Sequence, residues 1–261
     1  MYMTEFYELN PENLEFIDNL VGRWQKVVVA FLAYGADRKV DASGFGSGVI
    51  VNVDSIPYLI TAKHVVDDAL NKYKCSSIVV NGTNILLEHV AFATDEKRDL
   101  AVARLDYVLA RNGIDRYTSV PLIDEQLGYN KLPYQLVMGF PANKNKLKTR
   151  YGKSTPELLS ITAEKFDGTI ETPSPIVDPF YIKFSDKKQI DTYNNRIGVA
   201  PKLKGMSGGP IMGLLVKPTG LNQYHFSMEC VGILVEGYPK QKCLVGSHIK
   251  AILDLCNQFV R

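Results

Sequence analysis

The 261-residue sequence predicts a mainly β protein built as two barrels with a helix at each end. Three observations carry this reading. Short runs of β-branched and aromatic residues recur along the chain, Gly- and Pro-bearing turns separate them, and one more polar stretch splits them into two series. Many short strands joined by tight turns close on themselves to remove bare edges, and nothing here alternates strands with long helices as parallel βαβ units do.

The elements follow in order. Asn10 before Pro11 reads as a cap and first helical position, with Leu14, Ile17, Leu20 and Val21 at helical spacing, so residues 1–25 are expected to form a helical extension. Strands are expected at Val27–Tyr34, Ser47–Val53, Tyr58–Thr61, Ile78–Val80 and Leu100–Leu105, which assigns residues 26–110 to the first barrel. Residues 111–131, with Gly113, Pro121 and Gly128, read as the linker. A second series at Gln135–Phe140, Gly168–Glu171, Phe180–Phe184, Pro210–Val216 and Ser227–Val235 assigns residues 132–246 to the second barrel. In residues 247–261, Ile249, Ile252, Leu253 and Cys256 share one helical face.

Composition narrows the function classes. Apolar residues make up 46% and charged residues 22%, with a net charge of +2, so neither a nucleic acid nor a membrane surface is expected as a partner. The start lacks the basic and apolar regions of a secretory signal and no later window is apolar enough to span a membrane, so a cytoplasmic protein is expected. Cys75, Cys230, Cys243 and Cys256 are scattered without a C-x-x-C pair, which predicts reduced thiols, no disulfide framework and no metal site.

Against this background one segment is unusual: Gly205-Met206-Ser207-Gly208-Gly209-Pro210. Glycines crowd a residue where the backbone takes positive φ or passes close to another group, so Ser207 reads as a nucleophile on a tight turn beside bare N–H groups. A serine hydroxyl needs a base to take its proton, and the base needs an acceptor that fixes its tautomer. Of His64, His89, His225 and His248, only His64 has a distinctive frame, Thr61-Ala62-Lys63-His64, where an apolar run meets small residues. Asp99, in Asp99-Leu100-Ala101, heads an apolar strand; Asp95 and Asp106 compete with it but lack that frame.

These three frames, in the order His, Asp, Ser, resemble those of chymotrypsin/trypsin-fold serine peptidases, and most of all the bacterial HtrA-like branch. Gly44-Phe45-Gly46-Ser47-Gly48 also resembles that branch's strand ahead of the histidine. The resemblance implies two six-stranded antiparallel β-barrels and peptide-bond hydrolysis through an acyl-enzyme. Ser207 would be the nucleophile, His64 the general base and then acid, and Asp99 the orienting carboxylate, with the N–H groups of Gly205 and Ser207 as the oxyanion hole. No cofactor is expected, and the partner is a protein or peptide substrate.

The sequence also departs from the family's pattern. Met206 stands where digestive members carry an Asp that pairs with a freshly cut N-terminus, so activation of that type is not expected. Pro201 stands where trypsin-like members carry a carboxylate for basic substrates. Val235, Glu236 and Gly237 resemble the strand that receives substrate backbone, with Lys242 or Cys243 across the pocket. Glu236 favours a basic side chain and Lys204 an acidic one, so no cleavage residue is assigned. The run Lys144, Lys146, Lys148, Arg150 and Lys153 reads as a solvated loop. With 54 residues after Ser207, no trailing peptide-binding module is expected.

Two rival readings stay open. Gly205-Met206-Ser207-Gly208-Gly209 also satisfies the G-x-S-x-G elbow of α/β-hydrolases, which requires a helix after the serine. The other is a protease-like binding module, or a latent peptidase that an activating protein partner gates.

Overall fold

The computed structural model describes residues 26–34, 41–73, 75–114, 130–148, 156–166, 176–184, 189–191, 196–198, 202–220 and 223–259. The expected N-terminal helix, most of the linker (115–129), the strand expected at 168–171, Arg150, Lys153 and Pro201 lie outside these residues.

The first half of the chain forms β1 (Val28–Tyr34), β2 (Asp41–Val53), β3 (Ile56–Ala62), α1 (Lys63–Asp67), β4 (Ser76–Val80), β5 (Thr83–Leu86), β6 (Ala93–Asp95), β7 (Leu100–Arg104) and α2 (Asp106–Arg111). The second half forms β8 (Asn130–Gly139), β9 (Lys146–Lys148), β10 (Leu159–Lys165), β11 (Pro179–Lys183), β12 (Gln189–Asp191), β13 (Arg196–Gly198), β14 (Pro210–Gly220), β15 (Gln223–Tyr238), β16 (Cys243–His248) and α3 (Ile249–Cys256).

The mainly β, two-sheet architecture is the expected one, and among the described residues all strand pairs are antiparallel. The second sheet closes into the six-stranded barrel β10-β11-β16-β15-β14-β8. The first departs from a closed six-stranded barrel. Among the described residues its ladder runs β5-β4-β1-β2-β3-β7-β6 without closing, and β9 crosses from the second half to pair with β2. In that pairing Asp41–Ser43 oppose Lys146–Lys148, which converts part of the expected basic loop into a strand. β12 and β13 pair as a separate two-stranded ribbon that lies against β10.

Both faces of the central strands are covered, which explains why β1 and β7 read as nearly continuous apolar runs. Phe31, Ile50, Leu59, Ile78 and Leu105 fill the interior of the first sheet, and Val137, Ile161, Ile182, Ile211 and Leu244 that of the second. A third cluster joins the two. Val49, Ile60 and Val102 pack there with Met138, Met212 and Ile233, and α3 seals it with Ile249, Ile252 and Leu255. Helix α3 begins two residues later than expected, because Ser247 and His248 still belong to β16.

Candidate active site

His64 is the second residue of α1, which starts where β3 ends. Apolar burial sets its direction. Val65 and Val66 turn into the core, while the His64 ring is left 48% exposed. The first N–H groups of a helix have no partner inside it. Here Asp99 supplies partners from outside: its carbonyl accepts the Lys63 N–H at 3.0 Å and its Oδ1 accepts the His64 N–H at 2.9 Å. Its other oxygen, Oδ2, lies 2.6 Å from His64 Nδ1. One carboxylate thus fixes the backbone and the ring of the same histidine.

Asp99 ends the turn after β6 with φ of 51°, a left-handed conformation that Asp tolerates better than most residues. The competing acids are spent elsewhere. Asp95 takes the Arg98 N–H at 3.1 Å and its guanidinium at 2.8 Å, and Asp106 holds Arg104 at 2.7 Å. Nor do the other histidines join the site: His89 faces Glu88 at 3.7 Å and His248 stacks on Phe180 at 4.7 Å. The side chain of His225 is outside the described residues.

Ser207 sits on the turn ahead of β14, and the glycines around it make room for neighbours. Gly205 has φ of 95°, and a Cβ there would fall 2.6 Å from the Ala142 nitrogen. Gly208, with φ of 85°, lies against the Ser47 carbonyl and the Thr61 hydroxyl, and Gly209 lies against the Met138 carbonyl; neither position has space for a Cβ. The turn is bonded on every side. Ser47 N–H donates to the Ser207 carbonyl at 2.9 Å, Gly208 N–H to Leu234 at 2.7 Å, and Gly209 N–H to Met206 at 3.0 Å. Met206 points into the core and is fully buried, as suits a residue with no charge to pair. Among the described residues, the N–H groups of Gly205 and Ser207 donate to no protein acceptor. A strand, not a helix, follows the serine, which removes the α/β-hydrolase elbow.

His64, Asp99 and Ser207 line one cleft of about 620 Å³, together with Leu203, Lys204, Leu234, Val235, Glu236 and Gly237. His64 and Ser207 share this cleft without a direct hydrogen bond. Glu236 accepts a short hydrogen bond from the Tyr238 hydroxyl, and burial, with the nearby Glu236 charge, pushes the Tyr238 phenol well above its usual range. Burial lowers the His64 pKa, but the hydrogen bond and charge of Asp99, with Asp68 and Glu236 behind, outweigh it and hold the imidazole above its ordinary value. Cys243 does not reach the cleft; it is buried beside Ile176, Val235 and Val245.

Three hydroxyls at the site have a task that the sequence reading did not assign, although Ser47 and Thr61 lie inside frames it singled out. Ser47, Thr61 and Ser247 are buried hydroxyls on strands, and each spends its hydrogen on a backbone carbonyl near the site.

The family model, together with the fold, gives the class as serine-type endopeptidase. The model of the trypsin-like peptidase domain matches residues 46–213, and the chain belongs to that family. Similar solved structures include the serine endoprotease from Yersinia pestis (17% identity, TM-score 0.51, covering 94% of this chain and 66% of that one). The HtrA-type protease AlgW, solved with a decapeptide, is 15% identical with TM-score 0.53, covering 93% and 67%. Deg5 is 16% identical with TM-score 0.51, covering 94% of both chains. The chain thus spans about two thirds of the length of the first two, and at these identities the likeness is one of fold. No curated protein matches the sequence.

Proposed function

We propose that the chain hydrolyses internal peptide bonds with His64, Asp99 and Ser207 as its catalytic triad. The clamp of Asp99 on both the ring and the backbone of His64, in the cleft that also holds Ser207, is the observation that carries this reading. Ser207 Oγ attacks the peptide carbonyl as its proton passes to His64 Nε2, and the developing oxyanion takes the free N–H groups of Gly205 and Ser207. His64 returns the proton to the leaving amine, an acyl-enzyme remains, and water releases it by the same steps in reverse roles. The carboxylate of Asp99 stabilises the imidazolium at each passage. Substrate backbone lies along Val235, Glu236 and Gly237, and Pro201 is retained as a substrate-binding position on the family's pattern alone. Residues 26–110 form the half with base and acid, and residues 132–246 the half with the nucleophile. These groups complete the chemistry without a cofactor.

One observation favours a gated form of the same enzyme. His64 and Ser207 line the cleft without bonding each other, and such contacts often tighten only when substrate or a partner fills the site.

The test is reaction with a fluorophosphonate, in which Ser207 Oγ displaces fluoride from phosphorus. Ser207 is expected to be the labelled residue in the parent chain, with labelling abolished by Ser207→Ala and by His64→Ala. Labelling at another residue, or labelling indifferent to His64, would overturn the triad.

A further inference from the structure

The turn that carries Asp99 is held from outside through three successive carbonyls. Lys97 O accepts the Val177 N–H at 2.9 Å, Arg98 O accepts the Ser247 hydroxyl at 2.5 Å, and Asp99 O accepts the Lys63 N–H at 3.0 Å. The last bond comes from the helix of His64, and the first two come from the second half of the chain. Ser247 is 1% exposed and lies near the end of β16, opposite Ile233 and Pro179, so its backbone is fixed by strands on both sides. The Arg98 guanidinium reaches the same region, 3.5 Å from Asp178.

Asp99 needs this support more than an ordinary residue does. Its φ of 51° is a costly conformation for a side chain with a Cβ, and such conformations persist only where surrounding bonds over-determine them. The two peptide groups that flank the Asp99 Cα set that torsion and aim the carboxylate. The one before it is bonded by Ser247, and the one after it by Lys63.

We propose that Ser247 is a positioning residue of the active site: its hydroxyl pins the peptide group ahead of Asp99, so the second sheet holds the acid of a triad whose base and acid both lie on the first. The proposal rests on the triad reading above. It assigns the buried hydroxyl a task that a purely structural serine would not have, namely setting the strength of the Asp99–His64 contact.

The test pairs two readouts on Ser247→Ala and Ser247→Thr. The first is the rate of fluorophosphonate labelling of Ser207 across pH. The second is the NMR titration of the His64 ring in a Ser207→Ala background, which needs no activity. Asp99, Asp68 and Glu236 are the charges that raise His64, and Ser247→Ala disturbs only the hold of the first. Ser247→Ala is therefore expected to slow labelling by roughly tenfold and to move the His64 midpoint to lower pH in both readouts. Ser247→Thr, which keeps the hydroxyl, is expected to restore both. Should the Ala variant not fold, Ser247→Cys, a weaker donor of similar size, takes its place. A folded Ala or Cys variant with unchanged rate and midpoint, or one that lost only thermal stability, would overturn the proposal. Failure of the triad itself looks different: the parent chain is then not labelled at Ser207, and Asp99→Asn leaves the His64 titration where it was.

Discussion

The hydroxyl of Ser47, on β2, donates to the carbonyl of Gly205 at 2.8 Å, joining two residues 158 positions apart. The same oxygen accepts the Phe140 N–H at 2.8 Å, and the Ser47 backbone receives Thr61 Oγ1 at 2.7 Å and donates to Ser207 O. One buried serine of the first sheet thus fixes the orientation of the turn in the second. Ser47→Ala strands a buried carbonyl and a buried N–H. It is expected to cost about 2–6 kcal/mol, at roughly 1–3 kcal/mol per stranded group, read from urea unfolding. Labelling of Ser207 should slow in the fraction that remains folded, because the Gly205 peptide is free to turn.

Asp99→Asn keeps the size of the side chain but lets the amide nitrogen face His64 Nδ1, which selects the wrong tautomer. A loss of about 10⁴-fold in the acylation rate is expected, the scale of this change in a Ser-His-Asp triad. Single-turnover labelling measures it directly.

The raised pKa of His64 fixes the pH profile. The general base works only when neutral, so the acidic limb of kcat/KM should fall above the unperturbed imidazole value of 6.5. Stability moves in the opposite sense. Because the folded pKa exceeds the unfolded one, the His64–Asp99 contact adds stability that is fully present below 6.5 and is lost as pH rises through the folded value. Glu236→Gln removes one of the charges that raise His64 and should shift the acidic limb downward, measured as kcat/KM against pH with a peptide substrate.

Gly208→Ala meets two obstacles at once, a φ of 85° and a Cβ set against Ser47 O and Thr61 Oγ1. The combined cost is expected to be about 2–5 kcal/mol, from roughly 1–2 kcal/mol for the left-handed backbone and 1–3 kcal/mol for overpacking. Denaturant unfolding would give the value, and a shift under 1 kcal/mol would mean that the turn yields.

Local chemistry made much of this legible in advance. The glycines beside Ser207 announce close packing because no other residue fits there, and His64 and Asp99 each stand where an apolar strand meets a turn. Short runs of β-branched, aromatic and other apolar residues gave β1, β3 and β7 within two residues at each end. What could not be read is whatever two distant segments decide together. β16 holds Gly246 and Ser247 and lacks a strong strand signal, so its pairing with β11 and β15 defines it. β9 is a lysine-rich triplet that becomes a strand only because β2 offers it an edge. Ser47 and Ser247 are single hydroxyls whose partners lie 158 and 149 positions away, and no spacing rule reaches that far.

The crossing of β9 bears on how the chain divides. A polypeptide ending at residue 114 would carry the base and the acid yet leave Asp41–Ser43 without the strand that covers them. One starting at residue 130 would carry the nucleophile together with a strand that has nothing to pair with. Neither piece is a self-sufficient cassette, and each displays the edge the other needs, so the two make a natural complementation pair whose reassembly would be reported by the return of Ser207 reactivity.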